Sequence, residues 1–128
     1  MRRGLRWLLA ALLTLGVLYG AFVGYVSWRS AESLVHPARP ASSWTPADAG
    51  LAFEPLALTT SDGVALAGWW MPADEARGTV VFLHGYGDSK NQSLAYAPFL
   101  LRAGYHVLAF DFRAHGASGG SFTTVGLD

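Results

Sequence analysis

The apolar positions of this chain fall into one long run and several short ones, and their lengths assign them to different elements. Residues 7–28 carry no charged side chain. At about 1.5 Å per residue that run spans roughly 30 Å, the thickness of the hydrocarbon core of a bilayer. Leu56 to Thr60 and Val64 to Met71 are β-prone runs joined by Ser61-Asp62-Gly63. The Asp-Gly pair offers the positive-φ positions of a tight hairpin. Pro72 closes the second run, and a polar loop, Asp74 to Gly78, follows it. Thr79 to Leu83 and His106 to Phe110 are continuous apolar runs, each ending abruptly in polar and glycine residues. Continuous runs on either side of a helical segment predict a βαβ unit whose strands are buried on both faces. Pro98 is tolerated only near a helix start, so the helix is expected to begin close to Leu94, after a turn capped by Asp88 or Ser89. It should pack Phe99, Leu100 and Leu101 on the sheet and stop at Gly104.

The flanks of the long run sharpen its reading. Arg2, Arg3 and Arg6 precede it and Arg29 follows; Trp7 stands at one end, Tyr25 and Trp28 at the other. Aromatic rings favour the headgroup level, and arginines favour the cytoplasmic side. A cleaved signal peptide needs a shorter apolar core and small residues at its exit, whereas this exit holds Phe22, Tyr25 and Trp28. The expectation is a retained signal anchor at the membrane: residues 1–6 cytoplasmic, 7–28 transmembrane, and everything beyond on the extracytoplasmic side. Gly16, Gly20 and Gly24 fall four apart on one face. That spacing suits a homodimer contact between membrane helices, or is simply the glycine content common in such helices. Residues 29–55 contain Pro37, Pro40, Pro46 and Pro55 without apolar periodicity, which predicts an extended or irregular linker. Trp44 within it could dock either on the domain or on the membrane surface.

Composition narrows the chemistry. The 128 residues have room for one small domain, and a net charge of zero without a basic stretch argues against a nucleic-acid partner. The chain has no cysteine, which excludes disulfides, thiolate metal sites and a cysteine nucleophile. No sequence feature asks for a metal or a cofactor.

Two post-strand motifs carry the functional signal. His84-Gly85-Tyr86-Gly87 resembles the oxyanion turn of the α/β-hydrolases, and Asp111-x-Arg113-Ala114-His115-Gly116-x-Ser118 resembles their D-x-R-G-H-G-x-S loop. The stretch from Gly50-Leu51-x-Phe53-Glu54 through Asp62-Gly63-x-x-Leu66-x-Gly68-Trp69-Trp70 is similar to bacterial members of the serine-aminopeptidase-like and Bem46-like sort. The resemblance implies the N-terminal part of an α/β-hydrolase sheet, a β-hairpin followed by a βαβ unit, within residues 56–128 and preceded by one transmembrane helix. Ala114 departs from the usual glycine, so a locally different backbone is expected there.

Acyl transfer needs a nucleophile, a base and fixed donors for the oxyanion. By resemblance, the backbone N–H of Tyr86 is one such donor. Gly85 and Gly87 let the turn aim it, and His84 supports the turn. The resemblance likewise implies that Asp111, Arg113, His115, Gly116 and Ser118 hold the second loop. Asp111, His115 and Ser118 include all three triad residue types within eight consecutive residues, but one short loop rarely supplies triad geometry. The run Gly116-Ala117-Ser118-Gly119 is read as lacking the spacing of a nucleophile elbow. The resemblance therefore implies the anchor and first part of a hydrolase of small ester, amide or peptide substrates, whose serine lies beyond this chain and which is inactive without it. An aspartate-nucleophile hydrolase of the same fold, or a non-catalytic membrane-anchored interaction module, would begin in the same way.

Overall fold

A computed structural model describes residues 2–39 and 42–124, which separate into two units at Leu34/Val35. The first is α1 (Arg2–Val35) as far as Leu34, its last residue, Val35, belonging to the second unit; none of the helix's 34 residues is buried. Leu13, Tyr19 and Phe22 on it are all more than half exposed. It is the one helix among the described residues long and apolar enough to cross a membrane. It runs seven residues past Trp28, through Arg29 and Glu32, so the start of the predicted linker is helical.

The second unit is a four-stranded mixed sheet of order β1-β2-β4-β3. Its strands are β1 (Glu54–Thr59), β2 (Ala65–Met71), β3 (Gly78–Leu83) and β4 (Tyr105–Phe110). β1 and β2 form the expected hairpin, antiparallel, with Thr59 opposite Ala65. The turn differs from expectation: Gly63 alone takes a positive φ (86°), and Asp62 does not. The Gly63 N–H donates to the Thr60 carbonyl and the Thr60 N–H to the Val64 carbonyl, so one left-handed residue closes a longer loop. β2 pairs antiparallel with β4, while β3 and β4 run parallel, with Val80 opposite Val107 and Leu83 opposite Phe110.

Between β3 and β4 the chain makes a 3-10 turn (Lys90–Ala95) and then α2 (Ala97–Arg102), with Pro98 in its first turn. Starting at Ala97 rather than Leu94 decides which side chains meet the sheet. Ala97, Leu100 and Leu101 lie three and four residues apart and pack on the core, whereas Phe99, two residues on, is 66% exposed. The predicted packing of Phe99 is therefore wrong, and that of Leu100 and Leu101 is right. Ser89 precedes the 3-10 turn without a side-chain cap, and Asp88 accepts the Ser89 N–H instead.

The core is Trp69, Met71, Ala97, Val107 and Ala109, with Leu51, Phe53 and Phe82 packed against it. Only one face of β3 joins it. Val80 and Phe82 are half-buried, while Val81 and Leu83 are half exposed. Burial of β3 on both faces, as the continuous apolar run suggested, does not occur among the described residues.

The linker is also more than a tether. The Thr123 N–H donates to the Val35 carbonyl at 2.8 Å, and Asn91 Nδ2 donates to Ser42 Oγ and to the Trp44 carbonyl. Arg39 donates through Nη1 to the Ser118 carbonyl at 3.0 Å and through Nη2 to that of Gly120. Thr45 and Asp48 then cap a short 3-10 turn (Pro46–Ala49), and Leu51 and Phe53 enter the core. The Trp44 side chain itself stays largely exposed.

Candidate active site

Parallel pairing of β3 with β4, Leu83 against Phe110, makes the two following loops leave the sheet at the same edge. Carboxyl edges of open α/β sheets are where such folds place ligands. The residues singled out in the sequence meet here. His84 is buried, and its Nε2 accepts the Phe112 N–H at 3.0 Å. Its Nδ1 therefore carries the proton and donates to the Gly85 carbonyl at 2.7 Å. A neutral imidazole thus ties the turn after β3 to the loop after β4. The turn is held from its other side by Gln92 Oε1, which accepts the Gly85 N–H at 3.2 Å. Gly87 takes a φ of 72°, and the Tyr86 ring is half exposed, edge-on to His115.

Asp111 is the hub of the second loop. It is fully buried, and its carboxylate accepts the Lys90 N–H and Lys90 Nζ, both at 2.6 Å, and the Ala117 N–H at 2.8 Å. Lys90 Nζ also lies 4.9 Å from the centre of the Trp69 ring. Ser118 Oγ donates to the Asp111 carbonyl at 2.6 Å and accepts the Ala67 N–H at 2.9 Å, which sews the loop to β2. Arg113 reaches the hairpin turn, where Asp62 accepts from its Nη2 at 2.5 and 2.6 Å.

This geometry disposes of a local triad. Ser118 bonds to backbone, His115 Nδ1 bonds to the Arg113 carbonyl, and Asp111 bonds to Lys90 and Ala117. The three residue types share a loop but form no nucleophile–base–acid chain. The reason given from spacing alone needs correcting. With Gly120 included, Gly116-Ala117-Ser118-Gly119-Gly120 does match Gly-x-Ser-x-Gly. An elbow serine sits exposed on a strained strand-to-helix turn. Ser118 is 1% exposed and has an ordinary φ, and both capacities of its hydroxyl are used.

Ala114 corrects a second expectation. It keeps the left-handed conformation (φ 60°) that glycine would adopt, rather than reshaping the loop. A left-handed alanine costs about 1–2 kcal/mol. Glycine's greater freedom when unfolded, about 0.5–1 kcal/mol, and a buried methyl, about 0.8 kcal/mol, offset most of that. Ala114 is 1% exposed, so the methyl term applies in full.

Sequence reasoning missed Lys90 and Gln92, and the partners of Asp62 and Arg39. Gln92 reaches back seven residues to Gly85, whereas Lys90, Asp62 and Arg39 meet partners 21 to 81 residues away, and nothing local signals any of these pairings. Among the described residues, no group of three or more His, Asp or Glu is placed to hold a metal ion.

The Arg113 guanidinium, helped by the Thr60 hydroxyl, holds the Asp62 carboxyl well below its ordinary 3.8, at about 2. A depressed folded-state value means that Asp62 stabilises the fold above pH 3.8 and loses that contribution as pH falls through about 2. The urea midpoint of the wild type is therefore expected to fall more steeply than that of Asp62→Asn between these limits, the two curves converging at the acid end. Parallel curves would remove the pair from the acid response.

The sheet order, the hairpin followed by a βαβ crossover and the two loops at its carboxyl edge define an α/β-hydrolase fold. Comparison with known proteins agrees. Residues 74–126 match the sequence profile of the serine aminopeptidase S33 family. The esterase Pf2001 of Pyrococcus furiosus superposes with a TM-score of 0.64 at 43% identity, over 73% of this chain and 36% of that one. The α/β hydrolase GrgF of a Penicillium species gives a TM-score of 0.50 at 33% identity over 55% of this chain and 25% of its own. Among curated relatives, the uncharacterized protein YfhR of Escherichia coli (strain K12) is 30% identical over 79 residues, 58% of this chain and 28% of YfhR. YqkD of Bacillus subtilis is 23% identical over 125 residues, 94% of this chain and 40% of YqkD. The chain has the fold of the N-terminal part of an α/β-hydrolase and is similar to such proteins over part of its length, spanning about a third of the proteins it matches.

Proposed function

We propose that this chain supplies the membrane anchor and the oxyanion side of a serine hydrolase that cleaves esters, amides or short peptides. The observation that carries the reading is the His84–Gly87 turn, fixed by a buried neutral histidine to the loop after β4. Fixed backbone donors at a strand exit are what a developing oxyanion requires. In this reading the Tyr86 N–H is the donor, and the nucleophilic serine lies outside residues 1–128. The esterase named among the similar structures, 43% identical to this chain, supports ester substrates.

In the complete reading frame, Tyr86→Phe should leave turnover nearly unchanged. Tyr86→Pro, which deletes the N–H, should lower kcat on the order of a hundredfold, with circular dichroism confirming that the protein is folded. A fluorophosphonate probe should label a serine elsewhere and leave Ser118 silent. Labelled Ser118, or full activity in folded Tyr86→Pro, overturns the reading.

In the same proposal, α1 crosses the membrane with Arg2, Arg3 and Arg6 on the cytoplasmic side. Protease added to intact spheroplasts should then remove the hydrolase domain. A domain degraded only after lysis reverses the orientation.

A further inference from the structure

His115 has a nitrogen that none of the roles above uses. Its ring is 2% exposed and sits among other rings: His84 at 5.1 Å, Tyr86 at 5.7 Å and Phe112 at 6.5 Å between centroids. Nδ1 lies 2.9 Å from the Arg113 carbonyl, which can only accept, so Nδ1 carries the proton. Nε2 is then a bare lone pair, buried and without a partner among the described residues. A hydrogen on Nε2 instead would be no better placed, since no acceptor lies within reach of it among the described residues. Buried acceptors without donors are rare in folded proteins, and each calls for an explanation.

The location supplies one. The His115 ring meets the Tyr86 ring edge-to-face, with 5.7 Å between centroids, and lies 5.1 Å from that of His84, which ties the two loops together. We propose that His115 is a positioning residue for the oxyanion turn, its Nε2 accepting a hydrogen bond from one N–H or O–H of the assembled active site. That bond fixes the imidazole as the backstop against which Tyr86 and its backbone N–H are aimed. The inference rests on the reading of Tyr86 as an oxyanion donor. Ring chemistry limits the incoming group: a carbonyl or carboxylate oxygen offers Nε2 nothing, whereas a hydroxyl, an amide N–H or a water does. The donor is either a group of the protein itself or one that arrives with the reacting ligand.

Three variants of the complete protein separate this role from a purely structural one. A glutamine side chain places its amide near the position of Nε2, and asparagine places its amide near Nδ1. Phenylalanine keeps the ring and loses both nitrogens. With p-nitrophenyl butyrate as substrate, His115→Gln should keep kcat within a few-fold of wild type. His115→Asn and His115→Phe should lose on the order of tenfold to a hundredfold in kcat with KM little changed, as small displacements of catalytic groups do. Asparagine that retains activity while glutamine loses it would show that only the Arg113 bond counts, and overturns the proposal. Equal losses in all three, or none in any, overturn it as well.

Ring 15N spectra of wild-type His115 provide a second readout that needs no variant. Nε2 should appear unprotonated and shifted as a hydrogen-bond acceptor. A shift present in the free protein identifies a protein donor; one that appears only after fluorophosphonate labelling identifies a donor that depends on the occupied site. An Nε2 that is protonated, or free in both states, overturns the proposal. Should the wild type hydrolyse no ester, the proposed activity falls, and the spectrum of the free protein still tests Nε2: an acceptor shift there supports the role and its absence overturns it.

Discussion

Replacing Asp111 with alanine should destabilise the hydrolase domain by about 3–5 kcal/mol, the range found when one member of a buried ion pair is removed. The carboxylate has no solvent exposure and collects three donors, two backbone N–H groups and the Lys90 ammonium. Alanine leaves all three unpaired. The Lys90 side chain is only 9% exposed, so its charge cannot recover its hydration without dragging the loop open. The ring of Trp69 lies near that ammonium, but a desolvated cation–π contact, worth about 2 kcal/mol, does not replace a carboxylate. Lys90→Met should cost less. It removes one donor and leaves Asp111 with two backbone N–H bonds, while the methionine stem still covers Trp69. Urea denaturation of the complete protein with each variant measures the order. A cost below about 1 kcal/mol for Asp111→Ala would mean that the pair behaves as a solvated one.

Asp111 also shows what the sequence disclosed and what it hid. β3 and β4 were legible because each is a continuous apolar run that stops at glycine and polar residues, and the stopping points place both motifs at one edge. Asp111 itself was legible as part of a loop motif. Its partner was not, because Lys90 lies in a polar stretch 21 residues earlier and only the parallel pairing of β3 with β4 brings the two together. The docked linker was hidden for a similar reason. Proline-rich composition speaks of backbone stiffness, not of whether Arg39 finds carbonyls some eighty residues away. Phe99 was misplaced because the helix phase depends on where α2 starts, and the Ala97-Pro98 start lies three residues from the expected one. Ser118 needed the fold for the opposite reason. Its local pattern matches an elbow, and only its burial between Asp111 and Ala67 shows that it is a structural hydroxyl.

Gly116→Ala is expected to be at least as damaging as the loss of Asp111 itself, although it adds a single methyl group. At this position a Cβ would lie 2.3 Å from Asp111 Oδ2 and 2.4 Å from its Cγ, well inside contact distance. A flexible side-chain end could move aside, but this carboxylate is fixed by three hydrogen bonds, so either it leaves its donors or the loop shifts. The φ of 45° adds the left-handed penalty of about 1–2 kcal/mol. Gly87→Ala is the natural control. Its φ of 72° carries the same penalty, but no atom of the described residues lies within 4 Å of the added carbon, so only the backbone term of about 1–2 kcal/mol should appear. Combining Gly116→Ala with Asp111→Ala isolates the collision. Once the carboxylate is gone the methyl has room, so the double variant should be less destabilised than the sum of the two singles by more than about 1 kcal/mol, the coupling expected of residues in direct contact. Strict additivity would show that the cost of the alanine lies in the backbone and not against Asp111.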